Sequence, residues 1–312
     1  MPTRRGAFRL FRLFGITVYI HWAWFFAFIY LTSRPREYTS YGWNALEVLS
    51  LFLIVLTHEF GHQLACRQVG GATSDIVLWP LGGVAYVLPP QRPGAQLWSI
   101  AAGPLVNVIL IPLTAALVSL SSHLNWNETY PNLNQFVHVV FLINLVLLVF
   151  NLMPIYPLDG GQILRSLLWF FLGRANSLMA TTVTGFAVLA VLIGLAITER
   201  SYWMSDQLTD NLWPVLMLAF ILMNCWTGFR QARALVAREK LPRRSGVACP
   251  HCHANPVQGD LWRCGHCGKG FDIFSSRGQC PHCGTQFNAT QCLECGRASA
   301  IAQWEAPPTV DI

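Results

Sequence analysis

The sequence predicts an all-α polytopic membrane protein of about six transmembrane helices, with a small membrane-associated β-hairpin or sheet and a small cysteine-rich module at its C-terminal end. Three observations carry that expectation. Of 312 residues, 53% are hydrophobic and only 12% charged, whereas a soluble domain carries about 25% charged residues. The apolar residues fall into separate long stretches. Beyond Arg230 those stretches stop, and four CxxC pairs begin.

The elements follow in order. Residues 1–14 form a basic N-terminus holding Arg4, Arg5, Arg9 and Arg12. Six apolar stretches follow within a membrane domain at 15–230: Gly15–Leu31, Trp43–Cys66, Leu97–Leu120, Phe136–Met153, Leu178–Thr198 and Leu212–Phe229. Each is near the roughly 20 residues that a bilayer crossing needs. Between the second and third lies ATSDIVLWPLGGVAYVL, Ala72–Leu88, which reads as two short strands around Pro80–Gly83. Gly160–Phe171 reads as a helix too short to cross again. Arginines cluster at the N-terminus, after the second and fourth stretches, and in the basic linker at 231–247, while Ser121–Gln135 has no Lys or Arg. The positive-inside rule then places both termini in the cytosol of a multi-pass cell-membrane protein. The formal charge of +6 reads as orientation and contact with anionic lipid. A ratio of 19 arginines to two lysines suggests a GC-rich, bacterial genome.

Inside the second stretch stands HEFGH, His58–His62. Two histidines four apart share one helix face and can grip one Zn²⁺, and the adjacent Glu59 can reach the metal-bound water as general base. Ionisable groups at membrane depth are costly and face a protein interior or a water-filled cavity. Gly61 lets another helix approach the same face. A catalytic zinc takes three protein ligands and a water, and Asp159 is the only carboxylate between Glu128 and Glu199. It follows the helix-breaking Pro154 and Pro157 and precedes Gly160 and Gly161, whose lack of side chains permits close backbone approach.

HEFGH at His58–His62, GPLVN at Gly103–Asn107 and NLMPIYPLDG at Asn151–Gly160, in that order along the chain, resemble the site-2 protease family of intramembrane zinc metalloproteases. The resemblance implies that His58, His62 and Asp159 hold the zinc and that Glu59 activates the water. It also implies that Asn107 and Asn151 lie near the site and help to hold the substrate backbone or the oxyanion. Substrates would be transmembrane proteins cleaved in or near their membrane segments. A silent adaptor would be expected to have lost one of His58, Glu59, His62 and Asp159. A metal transporter would need polar ligands on several spans.

The tail carries CPHC at Cys249–Cys252, CGHC at Cys264–Cys267, CPHC at Cys280–Cys283 and CLEC at Cys292–Cys295. The reading is two Cys₄ zinc ribbons in tandem. The first, at 248–270, uses Cys249, Cys252, Cys264 and Cys267. The second, at 278–298, uses Cys280, Cys283, Cys292 and Cys295, and 299–312 follows as a flexible end. The cofactor set is then one catalytic and two structural zinc ions. A cytosolic protein is the favoured partner for the ribbons, ahead of nucleic acid, because C₂H₂ reading-helix spacing is absent.

Overall fold

The computed structural model describes residues 6–33, 38–79, 82–203 and 212–304, with the backbone alone given for 33, 196–203 and 212–217. Arg4, Arg5, Pro80, most of the 199–211 loop and residues 305–312 lie outside the described residues. The chain divides into two compact units, Met1–Ala232 and Arg233–Ile312.

The first unit opens with strands β1 (Ala7–Leu13) and β2 (Ile16–His21), then helices α1 (Ala23–Ser33) and α2 (Tyr41–Gln68). Strands β3 (Ala72–Trp79) and β4 (Gly82–Leu88) follow. Next come helices α3 (Pro93–His123), α4 (Trp126–Thr129), α5 (Pro131–Leu152), α6 (Asp159–Trp203) and α7 (Leu212–Glu239). Among the described residues four helices, α2, α3, α5 and α6, are long and apolar enough to cross a membrane. Proline opens α3 and α5, where its missing N–H costs nothing. Glycine at 173, with φ 76° and ψ 176°, breaks α6, so the short segment after Asp159 runs to Leu172 before a second helix begins.

Polarity is reversed relative to a water-soluble bundle. On α2 the buried residues include Asn44, Glu47, His58, Glu59, His62 and Gln63, while Leu46, Leu49 and Leu53 are exposed. On α3, Ser99, Asn107 and Ser121 are fully buried while Leu105, Ile109, Leu113 and Leu117 face outward. Lipid is the solvent that rewards this arrangement.

The first apolar stretch corrects the sequence reading. Gly15–Leu31 is not one helix. Ile16, Thr17, Val18 and Ile20 are rich in β-branched side chains, which favour a pleated strand, and β2 pairs in parallel with β3, Thr17 opposite Asp75 through Ile20 opposite Leu78. The helix starts only after His21, whose Nδ1 accepts the Ala23 amide at 3.2 Å. The expected hairpin is therefore half of a four-stranded sheet of order β1-β2-β3-β4. The segment still runs beside the whole of α2. At one end Arg67 donates to the Phe14 carbonyl, and at the other Asn44 Nδ2 donates to the Thr32 carbonyl at 3.3 Å. Between them Ile16, Val18 and Trp24 pack with Val48, Leu56, Ile76 and Leu78.

The second unit is built from small hairpins. Strands β5 (Trp262–Arg263) and β6 (Gly270–Phe271) flank the second CxxC, and β7 (Ala289–Gln291) and β8 (Ala298–Ala300) flank the fourth. Isolated bridges Arg243 to Val257 and Gln279 to Gln286 flank the first and third. After each pair the chain turns through a left-handed residue, at His253, Gly268, Gly284 and Gly296.

Two boundaries and one pairing differ from the sequence reading. The basic stretch expected as a linker is helical as far as Glu239. The end expected to be flexible from residue 299 is folded to Trp304, which is only 1% exposed, because its indole completes a core with Cys249 and Cys292. The cysteine pairing is nested rather than tandem: Cys249 and Cys252 join Cys292 and Cys295, while Cys264 and Cys267 join Cys280 and Cys283. Two contacts impose this. Trp262, Phe271 and Ile273 pack the second knuckle on the third, and Ala248 donates its amide to the Trp304 carbonyl at 3.0 Å, which returns the fourth knuckle to the first.

Candidate metal centre and active site

Asp159 stands at the first position of α6, placed by the break after α5. The hypothetical Cβ of Gly160 would lie 2.2 Å from the Leu152 carbonyl oxygen, and that of Gly161 2.5 Å from the Ile155 carbonyl carbon. Only glycines permit this return of the chain. Gly61 plays the same part between α2 and α3, since a Cβ there would sit 2.6 Å from the Ala102 carbonyl oxygen.

The result is a buried cluster. His58 Nε2 lies 3.0 Å from Asp159 Oδ2, and His62 Nε2 lies 3.4 Å from the same oxygen. The two Nε2 atoms are 3.1 Å apart. His58 and His62 are 5% and 7% exposed. Glu59, 6% exposed, points at the start of β4, where a Cβ on Gly83 would meet its Oε1 at 2.5 Å. Gln63 ties the helix to the sheet by donating to the Asp75 carbonyl at 2.9 Å.

Hydrogen bonding tests whether a cation fits. His62 Nδ1 faces the Ser99 carbonyl at 3.0 Å, and a carbonyl only accepts, so Nδ1 carries the proton and Nε2 presents a lone pair. His58 Nδ1 faces Asn107 Oδ1 at 2.6 Å, with the same consequence. In the neutral rings two bare nitrogens and a carboxylate oxygen then converge. They repel unless a cation sits among them, and two imidazoles with one carboxylate form a zinc donor set with room for a further ligand.

The cysteine clusters pass a different test. Sulfur atoms of partnered knuckles lie 3.8 Å apart for Cys249 and Cys295, 3.7 Å for Cys252 and Cys292, 3.5 Å for Cys264 and Cys283 and 3.7 Å for Cys267 and Cys280. These exceed any disulfide bond. They match the edge of about 3.8 Å of a sulfur tetrahedron with Zn–S near 2.3 Å. The Thr285 hydroxyl, then its amide, holds the Cys283 thiol down to about 5. At Cys267 the Lys269 amide pulls down, but burial and bonds to Cys264, Cys283 and Cys280 push the thiol up to about 11. Four thiols so close cannot all ionise without a cation.

Of the residues expected from the sequence, His58, Glu59, His62, Asp159 and Asn107 come together, and all eight cysteines fall into clusters. Asn107 differs in what its amide does. It is fully buried, with Oδ1 on His58 and Nδ2 donating to Asn144 Oδ1 at 2.8 Å, so neither end is free for substrate. Asn151 is half-buried in the last turn of α5 and is not bonded to the cluster. Asn144 escaped the sequence reading. Its one trace in the sequence is a second amide seven residues before Asn151, two turns away on the same face of an apolar helix, which alone does not distinguish it from a packing residue. His21, read as a packing residue, is 5% exposed and stacks on Trp79 with centroids 3.8 Å apart.

Fold and site together define an integral-membrane protein with an internal His–His–Asp metal centre and two Cys₄ centres. The profile of peptidase family M50 matches residues 46–129 and 127–195, and the chain belongs to this family, the site-2 proteases. A zinc metalloprotease of Methanocaldococcus jannaschii is 33% identical over 189 residues, 60% of this chain and 53% of that protein. A Synechocystis sp. protein is 31% identical over 250 residues, 75% of this chain and 63% of its own length. The chain thus spans little more than half to just under two thirds of these relatives. The solved site-2 protease from Methanocaldococcus jannaschii aligns with a TM-score of 0.49 at 23% identity, over 72% of this chain and 95% of that one.

Proposed function

We propose that the chain is a zinc-dependent intramembrane endopeptidase that hydrolyses peptide bonds in or near the transmembrane segments of membrane proteins. The observation that carries this reading is the convergence of His58, His62 and Asp159 inside the helical unit, with the Glu59 carboxylate beside them against Gly83. Zinc held by the two imidazoles and the Asp159 carboxylate would polarise the scissile carbonyl and make a water acidic enough to attack at neutral pH. Glu59 takes the proton from the attacking water and returns it to the leaving amine. Strand β4 is the end strand of the sheet among the described residues, and Gly83 on it lies against Glu59, so an unwound substrate could add there as a further strand. Asn151 is the amide available to hold substrate backbone, while Asn107 is kept for His58.

In this reading there are six crossings. The first is made by β2 and α1 together, about 36 Å if fully extended end to end, enough for a core of about 30 Å. The last is made by α7. The site lies toward the cytosolic side, both termini are cytosolic and the host membrane is bacterial. The membrane domain spans 15–230, and the nested knuckles form one double zinc-ribbon module that contacts a cytosolic protein rather than nucleic acid.

The test is Glu59→Gln in the full chain, in detergent or bilayer, against a panel of single-span peptides. Loss of the general base should slow cleavage by about 10²–10⁴-fold with zinc content unchanged. Cleavage at the wild-type rate would overturn the mechanism.

A further inference from the structure

Neither Asn144 nor the direction of its amide has a place in the reaction as described. Asn144 lies on α5, one helix removed from the histidines, and is fully buried, as is Asn107. An unpaired amide in such a place would cost several kcal/mol, so its bonds matter. Asn144 Nδ2 donates to the main-chain carbonyl of Asn107 at 3.0 Å. Its Oδ1 accepts from Asn107 Nδ2 at 2.8 Å. Asn107 Oδ1 faces His58 Nδ1 at 2.6 Å.

Read outward from the main chain, these three bonds leave no freedom. A backbone carbonyl can only accept, so Asn144 must turn its NH₂ toward it. The Asn144 oxygen then faces Asn107 and must receive a proton, so Asn107 turns its NH₂ toward Asn144. The oxygen of Asn107 is left facing His58, which must carry its proton on Nδ1. In the neutral ring the His58 Nε2 lone pair is thereby aimed at Asp159 and His62. Were the Asn107 amide reversed, its NH₂ would face Nδ1, and the proton would move to Nε2, where a metal must bind. His62 needs no such relay, because Ser99 O fixes its tautomer directly.

We propose that Asn144 is a positioning residue that sets the tautomer of His58 through Asn107, and so sets the metal affinity of the His58–His62–Asp159 centre. This deepens the proposed function and rests on that centre holding zinc. Groups of this kind commonly change metal affinity by about 10–100-fold when removed. The conservative rescue is specific. Asn107→Asp places an acceptor against Nδ1 whichever way it turns, so it makes the His58 tautomer independent of Asn144.

The experiment uses the full chain in bilayer nanodiscs, with zinc release measured against a calibrated chelator and the His58 tautomer read by ¹⁵N NMR of labelled histidine. Asn144→Leu is expected to weaken retention of one of three zinc ions by about 10–100-fold and to raise the Nε2–H population of metal-free His58. Asn107→Asp combined with Asn144→Leu is expected to restore Nδ1–H and most of the affinity, which a general packing defect would not allow. If Asn144→Leu holds zinc as the wild type does while His58→Ala loses one ion, the relay is overturned and the centre stands. If His58→Ala loses no zinc, the centre itself has been misread and the relay falls with it.

Discussion

At the scale of single residues the site is bounded by glycines as much as by its ligands. A Cβ on Gly103 would fall 2.3 Å from His62 Nε2 and 2.8 Å from His58 Nε2, closer than any real contact. The imidazoles cannot retreat, because both Nδ1 atoms are anchored. Gly103→Ala should therefore leave the helices formed but expel the metal, lowering zinc content from three ions per chain to two and abolishing cleavage; a variant that keeps three and cleaves normally would contradict the packing seen here. The ligand set was legible in the sequence because its chemistry is rare in lipid: two histidines four apart and one carboxylate in a long apolar region. Asn144 was not legible for the opposite reason. A lone amide in a helix has many bland uses, and only the facing carbonyl of Asn107 gives it one meaning.

At the scale of elements, the sequence showed where segments lie better than what they form. The apolar run Gly15–Leu31 was found, but its first half is a strand, since ITVYIH carries β-branched residues and a partner in β3 that local periodicity cannot reveal. The cysteine knuckles were found, but their pairing was not. Eleven residues separate the first two pairs and twelve the second and third, so spacing gives no preference, and packing decides. That packing has an order. The core of Trp262, Phe271, Ile273, Cys264 and Cys280 draws its buried members from one short segment, while the core of Cys249, Cys292 and Trp304 joins distant segments and borrows Phe274 from inside the inner loop. Closing the longer loop costs only about 0.8 kcal/mol more in chain entropy, so the dependence lies in the shared side chain. Cys280→Ser with Cys283→Ser should empty both sulfur sites, removing two zinc ions. Cys292→Ser with Cys295→Ser should remove one. Metal counts that reverse this order would show the outer site to be the nucleus.

At the scale of the whole molecule, the chain carries two kinds of metal chemistry. The His–His–Asp centre offers three donors, so a position must stay open for water, substrate or a chelator. Each sulfur site offers four donors and is closed, and its metal is part of what folds a unit too small for a large core of its own. Burial alone would predict the reverse, because His58 and His62 are only 5% and 7% exposed and lie within a helix of crossing length. Yet the proposed hydrolysis needs water and an unwound peptide at that point, and a small chelator can use the same path. Treating the full chain with a permeant chelator should therefore remove zinc in two phases. One ion should leave first, taking cleavage with it and leaving the tail folded. The other two should leave later, as the hairpins around the knuckles unfold. Truncation after Leu241 should remove the slow phase and keep the fast one. Loss of the two sulfur-bound ions before activity declines would mean that the inner centre is sealed at rest, and that a substrate or partner must open it.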